Sequence, residues 1–191
     1  MVKVGDQAWV FLTKSEDERS WSANTGYDDS VGRYYSYDSN VSRYRQVNVG
    51  DLVVIRVDDY VAGWSFIENI EVFPDAVKEI SRCPSCLKTN YRQRVNLRPR
   101  NICNVCGAGF EDSDRVIELK NVTAYRANYE HNWVEAARPV GYDQLRKVTK
   151  TSETFNAIRP LDKDKVPAFL ELVSGRPIGG APDLIVGDSA I

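Results

Sequence analysis

A chain of 191 residues can bury one ample hydrophobic core, or one core and a satellite, so a single principal domain with an appendage is expected. The formal net charge of −2 and apolar fraction of 42% are those of an ordinary globular protein; no run of about 18 apolar residues is present to form a membrane-spanning helix, and the chain is not basic throughout. Met1-Val2-Lys3-Val4-Gly5-Asp6 lacks the apolar stretch of a secretion signal, so a reducing cytoplasmic compartment is expected, where thiols stay free for metal.

In chain order, Ala8-Trp9-Val10-Phe11-Leu12 predicts a buried strand. Ser15-Glu16-Asp17-Glu18 has capping-box spacing and predicts a short helix reaching Trp21. Residues 22–48 show no sustained period and are rich in Ser, Asn, Asp, Gly and Tyr, which reads as a long loop with short strands. Asn48-Val49-Gly50-Asp51 is a turn signal, and the β-branched and aromatic residues in 52–57 and 61–72 predict a hairpin or meander. A cysteine-bearing segment interrupts the sheet, and residues 116–125 resume strand composition. A helix is expected over 142–148. A second is carried by Val166, Phe169, Leu170 and Val173 at i, i+3, i+4 and i+7, with Gly175 and Pro177 as its stop. The expected organisation is a principal domain of residues 1–80 plus 112–175, an inserted ribbon of 81–111 and a tail or linker of 176–191.

All four cysteines of the chain fall in two Cys-x-x-Cys pairs, Cys83/Cys86 and Cys103/Cys106. Tight turns inside such pairs aim two sulfurs at one point, and two pairs make the four-thiolate tetrahedron that zinc favours; Gly107 suits the second turn. Two disulfides or a redox dithiol would be the other readings, and they fit a reducing compartment and a duplicated pair less well. Four sulfurs leave no position for water, so a structural Zn²⁺ is expected rather than a catalytic one. The nucleic-acid deaminases also carry Pro-Cys-x-x-Cys, but they require an upstream His-x-Glu, and the one histidine here, His131, follows both pairs.

Six cations, Arg82, Lys88, Arg92, Arg94, Arg98 and Arg100, sit in this segment, and no acidic residue occurs from position 82 to 110. Against the two negative charges of a zinc tetrathiolate the ribbon would remain positive and able to engage phosphates. Alternatively, the arginines pair with acids elsewhere in the chain. Upstream, five of the ten tyrosines fall between Tyr27 and Tyr44, just after Trp21. They are interleaved with polar residues such as Asn24 and Asp38, a mixture that can stack a flat ring and hydrogen-bond its edge. Such aromatics can equally pack a core.

Phe11-Leu12-Thr13-Lys14-Ser15-Glu16-Asp17, Trp21-Ser22-Ala23-Asn24, Val49-Gly50-Asp51-Leu52-Val53-Val54 and Gly63-Trp64-Ser65-Phe66-Ile67 together resemble the PUA-like superfamily that contains EVE and YTH domains. The resemblance covers about residues 7–140. It implies an α+β fold, a curved or barrel-like β-sheet with flanking helices, that holds a modified or flipped base in an aromatic cage. Trp21 would be one wall, Ser22 and Asn24 its edge-reading neighbours. Tyr34, Tyr35 and Tyr37, with Asp38, are candidates for the second wall by composition. The ribbon is similar to those of reader domains joined to HNH nucleases in bacterial modification-dependent restriction enzymes. That similarity implies a prokaryotic, cytoplasmic DNA reader working with a fused or associated nuclease and not itself an enzyme.

Two other functions fit parts of the sequence. Pro74-Asp75 with Glu118-Leu119-Lys120 imitates the carboxylate pair and lysine of Mg²⁺-dependent nucleases. The ribbon and aromatic loop could also form an RNA-binding or protein-interaction module.

Overall fold

The computed structural model describes residues 7–15, 27–151 and 156–177. Among these the chain is mostly β-strand with few and short helices. The strands are β1 (Ala8–Thr13), β2 (Tyr34–Asp38), β3 (Leu52–Val57), β4 (Tyr60–Phe66), β5 (Asn69–Arg82), β6 (Tyr91–Gln93), β7 (Asn101–Cys103), β8 (Gly109–Phe110), β9 (Val116–Asn128), β10 (Val134–Gly141) and β11 (Ile158–Pro160). The α-helices are α1 (Tyr142–Arg146) and α2 (Val166–Ser174). Three sheets are ordered β10-β4-β3-β1-β11, β2-β9-β5 and β6-β7-β8, and none closes into a barrel among the described residues.

The chain divides into two compact units. The first comprises the described residues up to Thr13, Asp28–Val72, and those from Tyr125 onward. Its five-stranded sheet is mixed: β1 runs parallel to β3, whereas β4, β10 and β11 each pair antiparallel. Alternation along β1 sends Ala8 and Val10 to one face and Trp9 and Phe11 to the other, and both faces are dry. On the first face Val10, Val54, Trp64 and Phe66 meet the apolar stripe of α2, whose Val166, Phe169, Leu170 and Val173 are all buried. Each such side chain contributes about 1.5–3 kcal/mol. Gly175, in left-handed conformation (φ 65°), ends the helix as the sequence predicts.

On the second face Trp9, Phe11, Val53 and Ile55 pack with Tyr35, Tyr37, Ala127 and Tyr129. The buried Asp51 carboxylate fixes this layer by accepting the Trp9 indole N–H at 2.8 Å and the backbone N–H of Asn48 at 2.9 Å. The turn at residues 48–51 is thus a polar lock as well as a reversal, with Gly50 at φ 89°.

The second unit comprises Phe73–Ala124 with Lys14, Ser15 and Tyr27. The small sheet β6-β7-β8 lies within it, and the long strands β5 and β9 belong partly to each unit. Sequence composition anticipated strand up to residue 72, but β5 continues through Pro74 and the left-handed Asp75 (φ 60°) to Arg82. The helix expected to start at Ser15 and end at Trp21 lies, beyond Ser15 itself, outside the described residues.

Candidate metal centre and basic ribbon

Two near-identical turns build the cysteine cluster. In the first, the N–H of Cys83 donates to the Lys88 carbonyl and that of Leu87 to the Cys83 carbonyl, each at 2.9 Å. In the second, Cys103 donates to Ala108 at 2.9 Å and Gly107 to Cys103 at 3.0 Å. The residue four after the first cysteine is left-handed in both, Leu87 at φ 57° and Gly107 at φ 74°. Only Gly107 accepts that conformation without strain.

These turns bring Cys83 Sγ to 3.8 Å from Cys106 Sγ and Cys86 Sγ to 3.5 Å from Cys103 Sγ, with all four sulfurs within 4.8 Å of one another. Disulfide sulfurs would be about 2.05 Å apart. A tetrahedron with metal–sulfur bonds of about 2.3 Å has edges of about 3.8 Å, so the four sulfurs fit a single metal ion. Among the described residues this is the one group of three or more such ligands. A small core of Tyr91 and Phe110, edge to face at 5.0 Å, backs the buried Cys83 and Cys103, while Cys106 is exposed.

The electrostatics favour a cation. The Lys88 N–H favours the Cys86 thiolate, but burial and the three neighbouring sulfurs outweigh it and push this thiol up to about 12. Burial opposes ionisation of Cys103, yet the N–H groups of Cys106 and Val105, with the Cys86 thiol, bring it down to about 6. A divalent ion at the centre of the four sulfurs would favour the thiolate form of the ligands.

The six ribbon cations divide into two sets. Arg82 is held by Glu118 at 2.6 Å, Arg98 by Glu111, and Arg100 by Asp112 at 3.0 Å, so acids just beyond the ribbon neutralise half of the candidate phosphate contacts. Arg94 is turned inward on its own hairpin, donating through Nε and Nη2 to the Pro99 carbonyl at 3.0 and 2.6 Å. Lys88 and Arg92 are exposed and make no ion pair among the described residues. A cavity of about 240 Å³ between Arg94, Arg98 and Arg100 sits at the hairpin tip, beside the highly exposed Val95 and Leu97. Pro99 packs where a side chain on Gly109 would stand, at 2.2 Å from its Cβ position, which explains a glycine there.

The candidate base-pocket residues are scattered. Trp21, Ser22 and Asn24 lie outside the described residues. Tyr35 and Tyr37, expected as cavity walls, are instead core residues, each only 1% exposed. Tyr35 stacks on Phe11 at 4.6 Å and donates its hydroxyl to the Leu12 carbonyl; Tyr37 stacks on Tyr125 at 5.1 Å. Burial first, with Tyr125 and Asp51 adding to it, pushes the Tyr37 phenol far above its usual range. Asp38 is buried and accepts the Asn40 N–H at 2.7 Å, shaping a turn. Of the tyrosines at 34, 35 and 37, Tyr34 alone keeps a half-exposed ring, with the Arg126 guanidinium 4.5 Å above it.

Neither Asp75 nor Glu118 belongs to a group of three or more metal ligands among the described residues. Asp75 is exposed, Glu118 is bound by Arg82, and Lys120 is exposed on β9. Trp133 carries no local signal of its role: its ring packs on Gly32 and Gly63 and contacts Tyr129 at a centroid distance of 5.9 Å. The available signal was a glycine at 63 that leaves room for the Trp133 ring, and it becomes readable only once β4 and β10 are known to pair.

Comparison with protein-family models, curated proteins and solved structures gives no match to this chain.

Proposed function

We propose that this chain is a nucleic-acid-binding reader domain of the PUA-like, EVE/YTH-like kind, with a structural zinc ion held by Cys83, Cys86, Cys103 and Cys106. The observation that carries the reading is the ribbon itself. A four-sulfur cluster holds a stiff platform from which Lys88 and Arg92 project without carboxylate partners, next to the arginine-lined tip at 94–100. Such a platform suits phosphate contacts that position without reading sequence. The salt-bridged Arg82, Arg98 and Arg100 join by exchanging a carboxylate for a phosphate, a modest rearrangement for exposed pairs. With all four positions filled by sulfur, the metal has a structural role and activates no water.

The preferred ligand is DNA carrying a modified base, extruded from the stack because a base inside the duplex cannot be enclosed. Trp21, Ser22 and Asn24 are assigned to it on the family resemblance, and Tyr34 on its half-exposed ring. In a bacterial cell the domain would supply the specificity of a restriction system whose cutting is done by a fused or associated nuclease.

The test is a fluorescence-anisotropy titration of modified and unmodified duplexes, with zinc content measured on the same preparation. The expected result is one zinc per chain and tighter binding to a modified duplex. Absence of duplex and RNA binding at low salt would point instead to a protein-interaction ribbon. Cleavage with Mg²⁺ that is lost in Glu118→Ala would point to the nuclease.

A further inference from the structure

Strand β4 is out of register with both neighbours at one residue. Against β3 the ladder slips between Ile55 and Arg56, and against β10 it slips between Glu135 and Val140, so Ala62 alone stands opposite residues 136–139. Bulges of this kind re-aim side chains and open space beside a sheet. Here they leave a groove of about 900 Å³ within the first unit, lined by Tyr60, Ala62, Trp133, Glu135 and Arg138 among others. That size lies inside the range of about 300–1,000 Å³ typical of small-ligand sites.

The indole of Trp133 is seated on bare backbone: Cβ atoms at Gly32 and Gly63 would lie 3.2 and 2.5 Å from its ring. Glycine at both positions is what lets an aromatic wall stand there. Trp9 and Trp64 spend their indole N–H groups on Asp51 and Ser174, whereas that of Trp133 has no acceptor among the described residues. Tyr60, 48% exposed, is a second aromatic lining residue. Glu135 and Arg138 are exposed and make no ion pair among the described residues, so the same groove offers an acceptor and a donor of opposite charge.

We infer that this groove binds a planar heteroaromatic ring of the nucleobase class, stacked against Trp133 and Tyr60 with its edge met by Glu135 and Arg138. An apolar ligand would leave both charged groups unmatched, and a ligand of one charge would meet the wrong partner at either Glu135 or Arg138. The inference deepens the reader function and rests on it where the ring belongs to a polynucleotide: Trp133 then supplies the aromatic wall that Tyr35 and Tyr37 do not.

The experiment uses the full chain with two probes, a duplex containing 2-aminopurine and free 2-aminopurine riboside, each followed by anisotropy and by quenching of the probe. Trp133→Ala endangers the fold, so the deciding variants are Tyr60→Ala and Glu135→Gln, at exposed side chains, with unchanged melting as the control. Loss of a stacked aromatic is expected to weaken binding about 5- to 150-fold. Duplex binding that Tyr60→Ala and Glu135→Gln leave unchanged overturns the groove while the reader function stands. Riboside binding lost in Tyr60→Ala, without any duplex binding, supports the groove as a nucleoside site apart from polynucleotide binding. If neither probe binds, the groove is overturned, while the reader function is decided by the modified-duplex titration.

Discussion

Gly63→Ala is the most informative substitution in the sheet. The new methyl would lie 2.4 Å from the Val134 carbonyl oxygen and 2.5 Å from Cζ2 of Trp133, both well inside contact distance. The carbonyl belongs to the paired strand β10, so relief requires the ladder to move as well as the ring. Overpacking of this kind costs about 1–3 kcal/mol. Two simultaneous clashes place the cost in the upper part of that range, about 2–3 kcal/mol, and alanine recovers about 0.5–1 kcal/mol through lower backbone entropy, leaving a net loss of about 1–2.5 kcal/mol. At about 2–4 °C per kcal/mol, thermal unfolding followed by circular dichroism should show a Tm lower by about 2–10 °C. The cycle with Trp133→Ala separates the two contacts. Removing the indole relieves the ring clash but not the carbonyl clash, so the double variant should be more stable than the sum of the single losses by at least about 0.5 kcal/mol. An unchanged Tm in Gly63→Ala, or strict additivity in the cycle, would refute the packing described for Trp133.

Other predictions concern the ribbon and the turn before Trp133. Cys103→Ser, or chelation of the wild type, should release the metal and collapse the far-ultraviolet and near-ultraviolet signals of the ribbon; metal analysis and circular dichroism read both effects. Because Leu87 and Gly107 occupy equivalent left-handed positions, Leu87→Gly should stabilise the ribbon by about 0.5–1 kcal/mol, whereas Gly107→Leu should destabilise it by about 1–2 kcal/mol, measured as chelator resistance. If Arg82, Arg98 and Arg100 exchange their carboxylates for phosphate, log K against log salt for duplex DNA should slope at about −5, whereas a slope of about −2 would leave Lys88 and Arg92 as the only contacts. His131 lies 2.7 Å from Glu68, and that contact raises its pKa above the ordinary 6.5. Its contribution is complete below about pH 6.5 and is lost as pH rises through the folded value. An NMR titration should place the His131 midpoint above 6.5 in the wild type and lower in Glu68→Gln.

Short-range signals carried much of this structure. The continuous apolar run at 8–12, the β-branched runs of β3 and β4, and the helical spacing of Val166, Phe169, Leu170 and Val173 each report burial directly, and the structure buries them. Cysteine spacing carried the cluster, since a Cys-x-x-Cys turn brings its sulfurs together with little help from the rest of the chain. What failed was the distinction between wall and core in the tyrosine segment. Tyr35 and Tyr37 alternate with half-buried residues, a two-residue period that marks strand β2, but the polar neighbours concealed it. Likewise the charge of the ribbon was legible and its neutralisation was not, because Glu111, Asp112 and Glu118 lie just beyond the acid-free stretch and reach it only through folded geometry. The groove at Trp133 depends on register slips in two ladders, which no local pattern encodes.

Strands β5 and β9, the neighbours that enclose the ribbon in sequence, give the cysteines a kinetic consequence. Pairing two strands separated by residues 83–115 requires the intervening chain to close, at an entropic cost of roughly 3 kcal/mol for a loop of that length. The metal ligands lie inside that loop, so a ribbon that has already gathered Cys83 and Cys106 brings the end of β5 near the start of β9 before either strand is paired. A metal held there would thus act as a local clasp that shortens the search for a long-range ladder, and refolding of β5 against β9 should be faster with metal present than without it.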